Sequence, residues 1–140
     1  MFALGRFDDS GSPVIDIQIT GDSGHKKYPA TIDTGFTGFV ALPYFEIVEL
    51  GLAVRGAAHV QLGDGSIVTS DLASAKVTFG NLEATGTVVL DDGSAEVLVG
   101  MAFLREFKLA LILTSSAVVL YDAHEALDEI MRMISEVPKG

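Results

Sequence analysis

ATIDTGFTGFVALP, residues 30–43, places an acid at the end of an apolar run. Gly35 and Gly38 follow Asp33 closely, and apolar residues resume at once, so the chain must turn sharply beside a charged side chain. A carboxylate held in apolar surroundings is costly unless it is paired or hydrogen-bonded. Asp33 is therefore a candidate functional residue.

Length and composition bound the kind of protein that surrounds this stretch. The chain has 140 residues, of which 49% are hydrophobic, so we expect one packed domain over residues 1–140. Its 9 Lys and Arg residues against 19 Asp and Glu residues give a formal net charge of −10. An acidic surface of this kind repels phosphate backbones, and we expect no nucleic acid among its partners.

Targeting and cofactor signals are absent from the sequence. No apolar run reaches the roughly 18 residues that span a bilayer, and the first residues lack the pattern of a secretion signal, so we expect a cytoplasmic protein without membrane contact. Without cysteine the chain has neither disulfides nor thiolate chemistry. His25, His59 and His124 stand apart with no short ligand spacing, so we expect surface histidines, no metal and no cofactor.

Alternating and apolar runs predict an all-β chain. Residues 14–20, VIDIQIT, alternate between isoleucine and polar residues, which is the period of a half-buried strand. Gly63-Asp64-Gly65 joins two β-rich runs and predicts a hairpin. Further strand-like runs are KYPATID, FVALP, ATGTVVL, AEVLVG, FKLALIL and AVVLYD.

Three segments are expected to be helical. PYFEIVELGL carries Phe45, Val48 and Leu52 on one side, and MAFLREF is a short helical step. The tail, residues 123–136, has an apolar stripe at helical spacing. We expect this stripe to pack on the core of its own chain in preference to a partner. Its members are Leu127, Ile130, Met131 and Ile134.

Two short motifs admit other interpretations. Gly21-Asp22-Ser23-Gly24 matches the nucleophile motif of chymotrypsin-type serine proteases, but it lies between two hairpin strands, so a plain turn is the better interpretation. Residues 33–37 fit the D-x-G-x-T phosphate loop of the actin and sugar-kinase superfamily. That fold needs two α/β lobes, which 140 mostly β residues cannot supply, so nucleotide binding is kept only as an alternative.

Asp33-Thr34-Gly35, set between an apolar run and an apolar strand, resembles the active-site loop of single-domain, retropepsin-like aspartic proteases. Their second hallmark is two apolar residues and a glycine before a short helix, and Leu98-Val99-Gly100 matches it. The hairpin lies between the two hallmarks, as the flap of this family does. DTGFTGFVALP and LVGMAFL are similar to the bacterial and archaeal branch of the family.

The resemblance covers residues 13–121. It implies an acid-protease-like closed barrel with one flap hairpin and a short helix after the second hallmark. The C-terminal amphipathic helix at residues 123–136 lies outside it.

The resemblance also implies an aspartic endopeptidase in which two copies of Asp33, one from each chain of a homodimer, activate water against a peptide bond. Two carboxylates about 3 Å apart share one proton, so one is the base and the other the acid. Thr34 is implied to bond across the dimer axis, and Gly35 to let a backbone amide approach the carboxylate. Gly100 is implied to let the chain pass close by.

Five residues are expected to contact a peptide substrate as the wall and flap of the cleft: Phe36, Leu62, Gly63, Asp64 and Gly65. Phe36 stands where two-lobed relatives carry a hydroxyl residue, and its ring cannot donate a hydrogen bond to the acid. We therefore expect activity to peak at a milder pH than in those enzymes. The alternative to turnover is a catalytically silent module that keeps this fold for dimerisation or peptide binding.

Overall fold

The computed structural model of the chain describes residues 2–61 and 63–136, which are mostly β-strand with three helices. Leu62, expected at the flap, lies outside the described residues. The strands are β1 Phe2–Leu4, β2 Arg6–Phe7, β3 Pro13–Gly21, β4 Gly24–Ile32, β5 Val40–Pro43, β6 Val54–Gln61, β7 Ile67–Phe79, β8 Leu82–Asp91, β9 Val97–Val99, β10 Leu109–Leu113 and β11 Val118–Asp122. The helices are α1 Glu46–Leu50, α2 Met101–Glu106 and α3 Ala123–Ser135.

Six of the strands close into a barrel. They run in the order β3, β4, β9, β5, β8 and β7, and a pairing between β3 and β7 closes the ring. β9 lies between β4 and β5, parallel to β4 and antiparallel to β5. The second hallmark therefore pairs with both strands that flank Asp33. The closed, acid-protease-like barrel that the sequence predicts is confirmed.

The alternation in β3 explains why this strand lines the interior of the barrel. Ile15, Ile17 and Ile19 are almost fully buried, while Asp16 between them is exposed. Each buried isoleucine stabilises the fold by about 1.5–3 kcal/mol because it leaves water. Four aromatic rings of the same core pack together, with neighbouring centroids 4.7 to 6.1 Å apart: Phe39, Phe79, Phe103 and Phe107.

Two predicted turns are confirmed. Gly21 and Gly24 face each other across the turn between β3 and β4, so the Gly-Asp-Ser-Gly motif is a hairpin turn. Gln61 pairs with Ile67 where β6 and β7 meet, so the hairpin around Asp64 is also present. Both strands of this second hairpin are largely exposed near its tip.

The first helix is shorter than predicted and does not bury the expected side. α1 ends at Leu50, because Gly51 adopts left-handed backbone with φ of 68°. Phe45 and Val48 are 66% and 80% exposed. Apolar residues spaced three apart predict the buried face of a helix poorly when the helix has only five residues. In so short a helix, the chain before and after it determines which face turns inward.

Glu46 explains the observed orientation of α1. Its carboxylate is buried and accepts hydrogen bonds from the Tyr28 hydroxyl at 2.7 Å and from Lys26 Nζ at 3.0 Å. Burial raises the pKa of Glu46, but the hydrogen bonds from Tyr28 and Lys26 outweigh burial and hold that pKa below its ordinary value. These bonds tie α1 to β4, which carries both donors.

The C-terminal helix is confirmed, but the packing expected for its apolar stripe is wrong. α3 begins after Asp122, whose carboxylate accepts hydrogen bonds from the backbone N–H groups of His124 and Glu125, both at 3.0 Å. The helix lies against β10 and β11 of a separate sheet with the order β1-β11-β10. Because the barrel closes without α3, the whole stripe is left more than half exposed: Leu127, Ile130, Met131 and Ile134.

The N-terminal strands β1 and β2 were not predicted. β1 pairs with β11 from Phe2 opposite Tyr121 to Leu4 opposite Val119, and β2 pairs with the start of β3. Strands of three and two residues are too short to show a period in the sequence. They form because a longer strand offers its free edge.

Candidate active site

Asp33 lies directly after Ile32, the last residue of β4. Its backbone N–H donates to the Val99 carbonyl of β9 at 2.9 Å, which ties the acid to the second hallmark. The carboxylate oxygen Oδ1 accepts a hydrogen bond from the Gly35 N–H at 2.9 Å, and the Asp33 carbonyl accepts one from the Phe36 N–H at 3.1 Å. The loop thus fixes the direction of a half-buried carboxylate.

Gly35 occupies the position where the loop comes closest to its own acid. A Cβ at this residue would lie 3.2 Å from Asp33 Oδ1, which is tighter than an ordinary contact. Thr34 and Gly35 are both exposed, so the tip of the loop is accessible to another surface.

Gly100 and the first amides of α2 hold the other side of the loop. The Met101 N–H donates to the Phe36 carbonyl at 2.9 Å, and the Ala102 N–H donates to the Gly38 carbonyl at 3.1 Å. A Cβ on Gly100 would lie 2.5 Å from the Gly38 carbonyl oxygen and closer still to that of Phe36. The close approach expected of this hallmark glycine is present, and backbone atoms make it.

Phe36 is buried, with 7% of its surface exposed. Its ring fills the space that a Cβ on Gly38 or Gly100 would occupy. The same ring lines the groove beside Asp33. The residue directly after Asp-Thr-Gly is therefore a hydrophobic wall of the groove.

A groove of about 230 Å³ opens beside Asp33. Five parts of the fold form it, namely the Asp33 loop, β5, the hairpin of β6 and β7, the end of β8 with the turn after it, and the hallmark strand β9. Its lining includes the acid, the hallmark leucine and four further residues: Asp33, Leu98, Phe36, Gly63, Asp91 and Asp92.

One residue of the hairpin lies close to the loop. The Cα of Gly63 lies 3.9 Å from the point where a Cβ on Gly35 would stand. Asp64 and Gly65 do not line the groove. The Asp64 carboxylate instead accepts hydrogen bonds from the Ser66 hydroxyl at 2.6 Å and the Ser66 N–H at 2.9 Å, and these bonds lower the pKa of Asp64.

The second hallmark divides into a surface residue and a buried support. Leu98 lines the groove, whereas Val99 is fully buried and Gly100 is buried beneath the loop. The structure therefore brings Asp33, Phe36, Gly63 and Leu98 together. Val99 and Gly100 act from behind as packing and backbone partners.

Sequence reasoning missed the acidic edge of this groove. Asp91 and Asp92 line it, and the sequence indicated only a turn at DDGS. Asp91 Oδ1 accepts the Gly93 N–H at 2.8 Å, so the turn is present as well. The signal that could have revealed the edge is the pair of acids shortly before the second hallmark, since β9 pairs with β4, the strand that leads to Asp33.

Residues 2–61 and 63–136 contain no group of three or more His, Cys, Asp or Glu side chains arranged to hold a metal ion. His25, His59 and His124 are exposed, as expected of surface histidines. In the same part of the chain, no helix combines the length and the apolar composition that crossing a membrane requires.

Comparison with known sequences gives one informative relative. No protein-family model matches the chain. An uncharacterized protein from Archaeoglobus fulgidus is 30% identical over 112 residues, which cover 73% of this chain and 88% of that protein. The two chains therefore align over most of their length.

Two solved structures share the architecture. A retropepsin-like aspartic protease from Rickettsia conorii superposes with a TM-score of 0.63 at 16% identity, covering 86% of this chain and 90% of that one. EIAV protease complexed with the inhibitor HBY-793 gives a TM-score of 0.56 at 13% identity, covering 76% of this chain and 98% of that one. At such identities the comparison shows the fold.

Proposed function

We propose that this chain, which belongs to one family with the Archaeoglobus fulgidus protein and has the retropepsin-like fold, is an aspartic endopeptidase that acts as a homodimer. One observation carries the proposal. The Asp33 carboxylate, held by the Gly35 amide at 2.9 Å, stands next to an exposed loop tip and lines a groove that the hairpin also forms.

The reaction needs two carboxylates. The ionised one takes a proton from water, whose oxygen then bonds to the peptide carbonyl carbon, while the protonated one gives its proton to the carbonyl oxygen. When this intermediate collapses, the carboxylate that is now ionised takes a proton from one of its hydroxyls. The C–N bond breaks, and the carboxyl that is now protonated gives its proton to the leaving nitrogen. Two acids that share one proton are suited to both roles, because they cannot both ionise easily at close range.

A second copy of the chain supplies the second acid. The sequence contains one Asp-Thr-Gly, and in the structure its tip, Thr34 and Gly35, is exposed. A two-fold axis beside this tip would bring Asp33 against its own counterpart, with the same surface on both chains. Thr34 is then placed to bond across the axis.

The groove suits an extended peptide beneath the hairpin. Gly63 on the hairpin and Leu98 on β9 both line the groove, and a strand-like substrate bound there would contact both elements. Backbone hydrogen bonds would supply affinity, and side-chain pockets would supply preference. Asp64 and Gly65 form the tip of the hairpin and shape its turn, without facing the groove.

The charge of the groove favours basic substrates. Phe36 and Leu98 offer an apolar wall, and Asp91 and Asp92 add carboxylates to the same lining. Lysine and arginine combine an apolar stem with a cationic end, which matches such a surface. The formal net charge of −10 adds a field that attracts the same peptides.

Peptide binding without turnover is a second candidate, and Phe36 favours it. Its ring lies beside Asp33 where a hydroxyl would stabilise the ionised acid, so the acid pair of this chain lacks one hydrogen bond. For an active enzyme the same absence places the optimum at a mild pH. An optimum below about 3 would contradict that expectation.

The proposal is tested by digesting a diverse peptide library from about pH 3 to 8 with the wild type and with Asp33→Asn. We expect wild-type cleavage that falls by about 10²–10⁴-fold in the variant, because the acid–base group is lost and the shape is kept. Asp22→Asn is the matched control, since Asp22 is an exposed aspartate in the turn between β3 and β4. Absence of cleavage by a folded wild-type dimer, together with retained peptide binding, would support the second candidate.

A further inference from the structure

The terminal part of the fold exposes an unusual amount of apolar surface. Five large side chains of α3 are 51% to 60% exposed, and no residue of this helix is buried. An exposed apolar face of this kind marks an interaction site in soluble proteins. Its side chains are Leu127, Ile130, Met131, Met133 and Ile134.

The exposed face continues onto a strand. A groove of about 700 Å³ lies between α3 and the small sheet, and both Ile112 of β10 and Ile130 of α3 line it. Ile112 and Leu113 are 45% and 50% exposed. We call these two residues, together with the five apolar side chains of α3, the terminal patch.

β10 is an unprotected edge. It stands at one end of the sheet order β1-β11-β10, and in the described part of the chain only β11 pairs with it. Its sequence, LALIL, contains none of the charged residues or prolines with which proteins guard an exposed strand. An edge of this kind pairs readily with another strand.

The terminal patch is mechanically connected to Asp33. The first amides of α2 bind the carbonyls of Phe36 and Gly38, and α2 in turn packs on β10. β10 then carries α3. The terminal patch therefore adjoins the helix that supports the Asp33 loop.

We propose that a second copy of this chain docks on the terminal patch, and that this contact holds together the homodimer on which the proposed function rests. A specific interface buries roughly 800 Å² per partner. The exposed residues of the Asp33 loop, Thr34, Gly35 and Thr37, cannot supply this area. The terminal patch supplies apolar area beside the edge of β10. The seven members of the patch are uncharged, whereas Glu125, Asp128, Glu129 and Arg132 line the adjacent groove. The apolar contact therefore has to outweigh the repulsion between two chains of formal net charge −10.

A membrane surface fits the terminal patch less well. Helices that lie on membranes carry lysine and arginine along their polar side. α3 has Arg132 as its one basic residue of these types, and Arg132 is bound to Glu129 and Glu136 of the same segment. Its remaining acids, Glu125 and Asp128, would be repelled by anionic lipid.

The test is sedimentation equilibrium from about 1 to 100 µM on the full chain. In the double variant Ile130→Glu with Ile134→Glu, we expect the dimer dissociation constant to rise at least about 100-fold, since buried charge would replace two apolar contacts. Val48→Glu is the matched control, because Val48 is 80% exposed on α1, away from the terminal patch. Circular dichroism checks that all variants fold.

The outcomes separate this inference from the proposed activity. A double variant that dimerises like the wild type, or a wild type that is monomeric at about 100 µM, would overturn the inference. Dimer loss confined to the double variant supports it, even if the wild type cleaves no peptide. Peptide cleavage that survives with dimerisation unchanged in the double variant would leave the activity standing and reject the terminal patch as its interface.

Discussion

The Asp33 loop and helix α3 meet the rest of the molecule in opposite ways. The loop receives hydrogen bonds from α2 and gives one to β9, and its exposed residues are Thr34, Gly35 and Thr37. α3 is held along one side by β10 and β11 and has no buried residue. The loop has rigid support and lacks a second carboxylate, whereas the helix has apolar surface and lacks a cover. A second copy of the chain would supply both the second carboxylate and the cover over α3. One dimer would therefore account for both regions.

We expect the largest loss of stability at Gly100, which lies beneath the Asp33 loop. Gly100→Ala places a Cβ against the carbonyl oxygens of Phe36 and Gly38, which are backbone atoms that cannot move without shifting the loop. We expect the free energy of unfolding to fall by about 3 kcal/mol. Chemical denaturation measures it. Gly56→Ala is the control, since a Cβ there has no atom within 4 Å, and an equal loss in both variants would refute the role of the loop contact.

A somewhat smaller effect is expected at the anchor of α1, where a polar side chain and not an apolar one faces inward. Glu46→Gln removes a buried carboxylate that Tyr28 and Lys26 bind. We expect a loss of about 1–2 kcal/mol at neutral pH. Glu49→Gln is the control, because Glu49 contacts the same lysine at 3.0 Å but is largely exposed.

The pH dependence of the stability loss in Glu46→Gln follows from the direction in which folding shifts the pKa of Glu46. The pKa of Glu46 is lowered in the folded chain, so the ionised group stabilises the fold above its unfolded pKa of about 4.5. That stabilisation is lost as the pH falls through the folded pKa. The difference in Tm between wild type and Glu46→Gln should therefore be largest near pH 6–7 and shrink below about pH 4. A difference that stays constant from about pH 7 to 3 would contradict this assignment.

The groove beside the loop gives a prediction about selectivity. If Asp92 receives the cationic end of a substrate, Asp92→Asn should lower kcat/KM for lysine- and arginine-containing peptides by about two- to fivefold, as expected for an exposed charge contact. Peptides with methionine at the same position should be cleaved at the wild-type rate. Asp22→Asn again serves as control, and equal losses for both peptide classes would show that Asp92 acts on stability alone.

We expect the smallest loss of stability in helix α3, whose apolar face is exposed. Leu127→Ser should change the free energy of unfolding of the monomer by less than about 0.5 kcal/mol, because Leu127 is 56% exposed in one chain. The measurement is made at a concentration below the dimer dissociation constant. A loss above about 2 kcal/mol would mean that α3 belongs to the core of its own chain after all.

The sequence predicted the parts of this fold that repeat a clear local pattern. The alternation of Ile15, Ile17 and Ile19, the Asp-Gly turn at the hairpin and the two hallmarks all identify short stretches whose neighbours are set by the barrel. Among the site residues, Phe36, Gly63 and Leu98 were identified because each lies within or next to such a stretch.

The features that the sequence could not reveal depend on contacts with residues that are distant along the chain or belong to another chain. The stripe of α3 has the spacing of a core helix, but spacing says nothing about whether the covering surface lies in the same chain. Glu46 faces inward because Tyr28 and Lys26, distant in sequence, meet it there. Asp91 and Asp92 form a turn and also line the groove, and only the second property concerns substrate.

A subunit-mixing experiment tests most directly whether two chains share one active site. Wild type is incubated with a ninefold excess of Asp33→Asn at a total concentration above the dimer dissociation constant, and cleavage of a library-derived peptide is followed. If each active site needs an Asp33 from both chains, about nine-tenths of the wild-type chains become paired with the variant, and activity falls to about one tenth. Activity that is unchanged by the added variant would show that one chain acts alone and would contradict the shared acid pair.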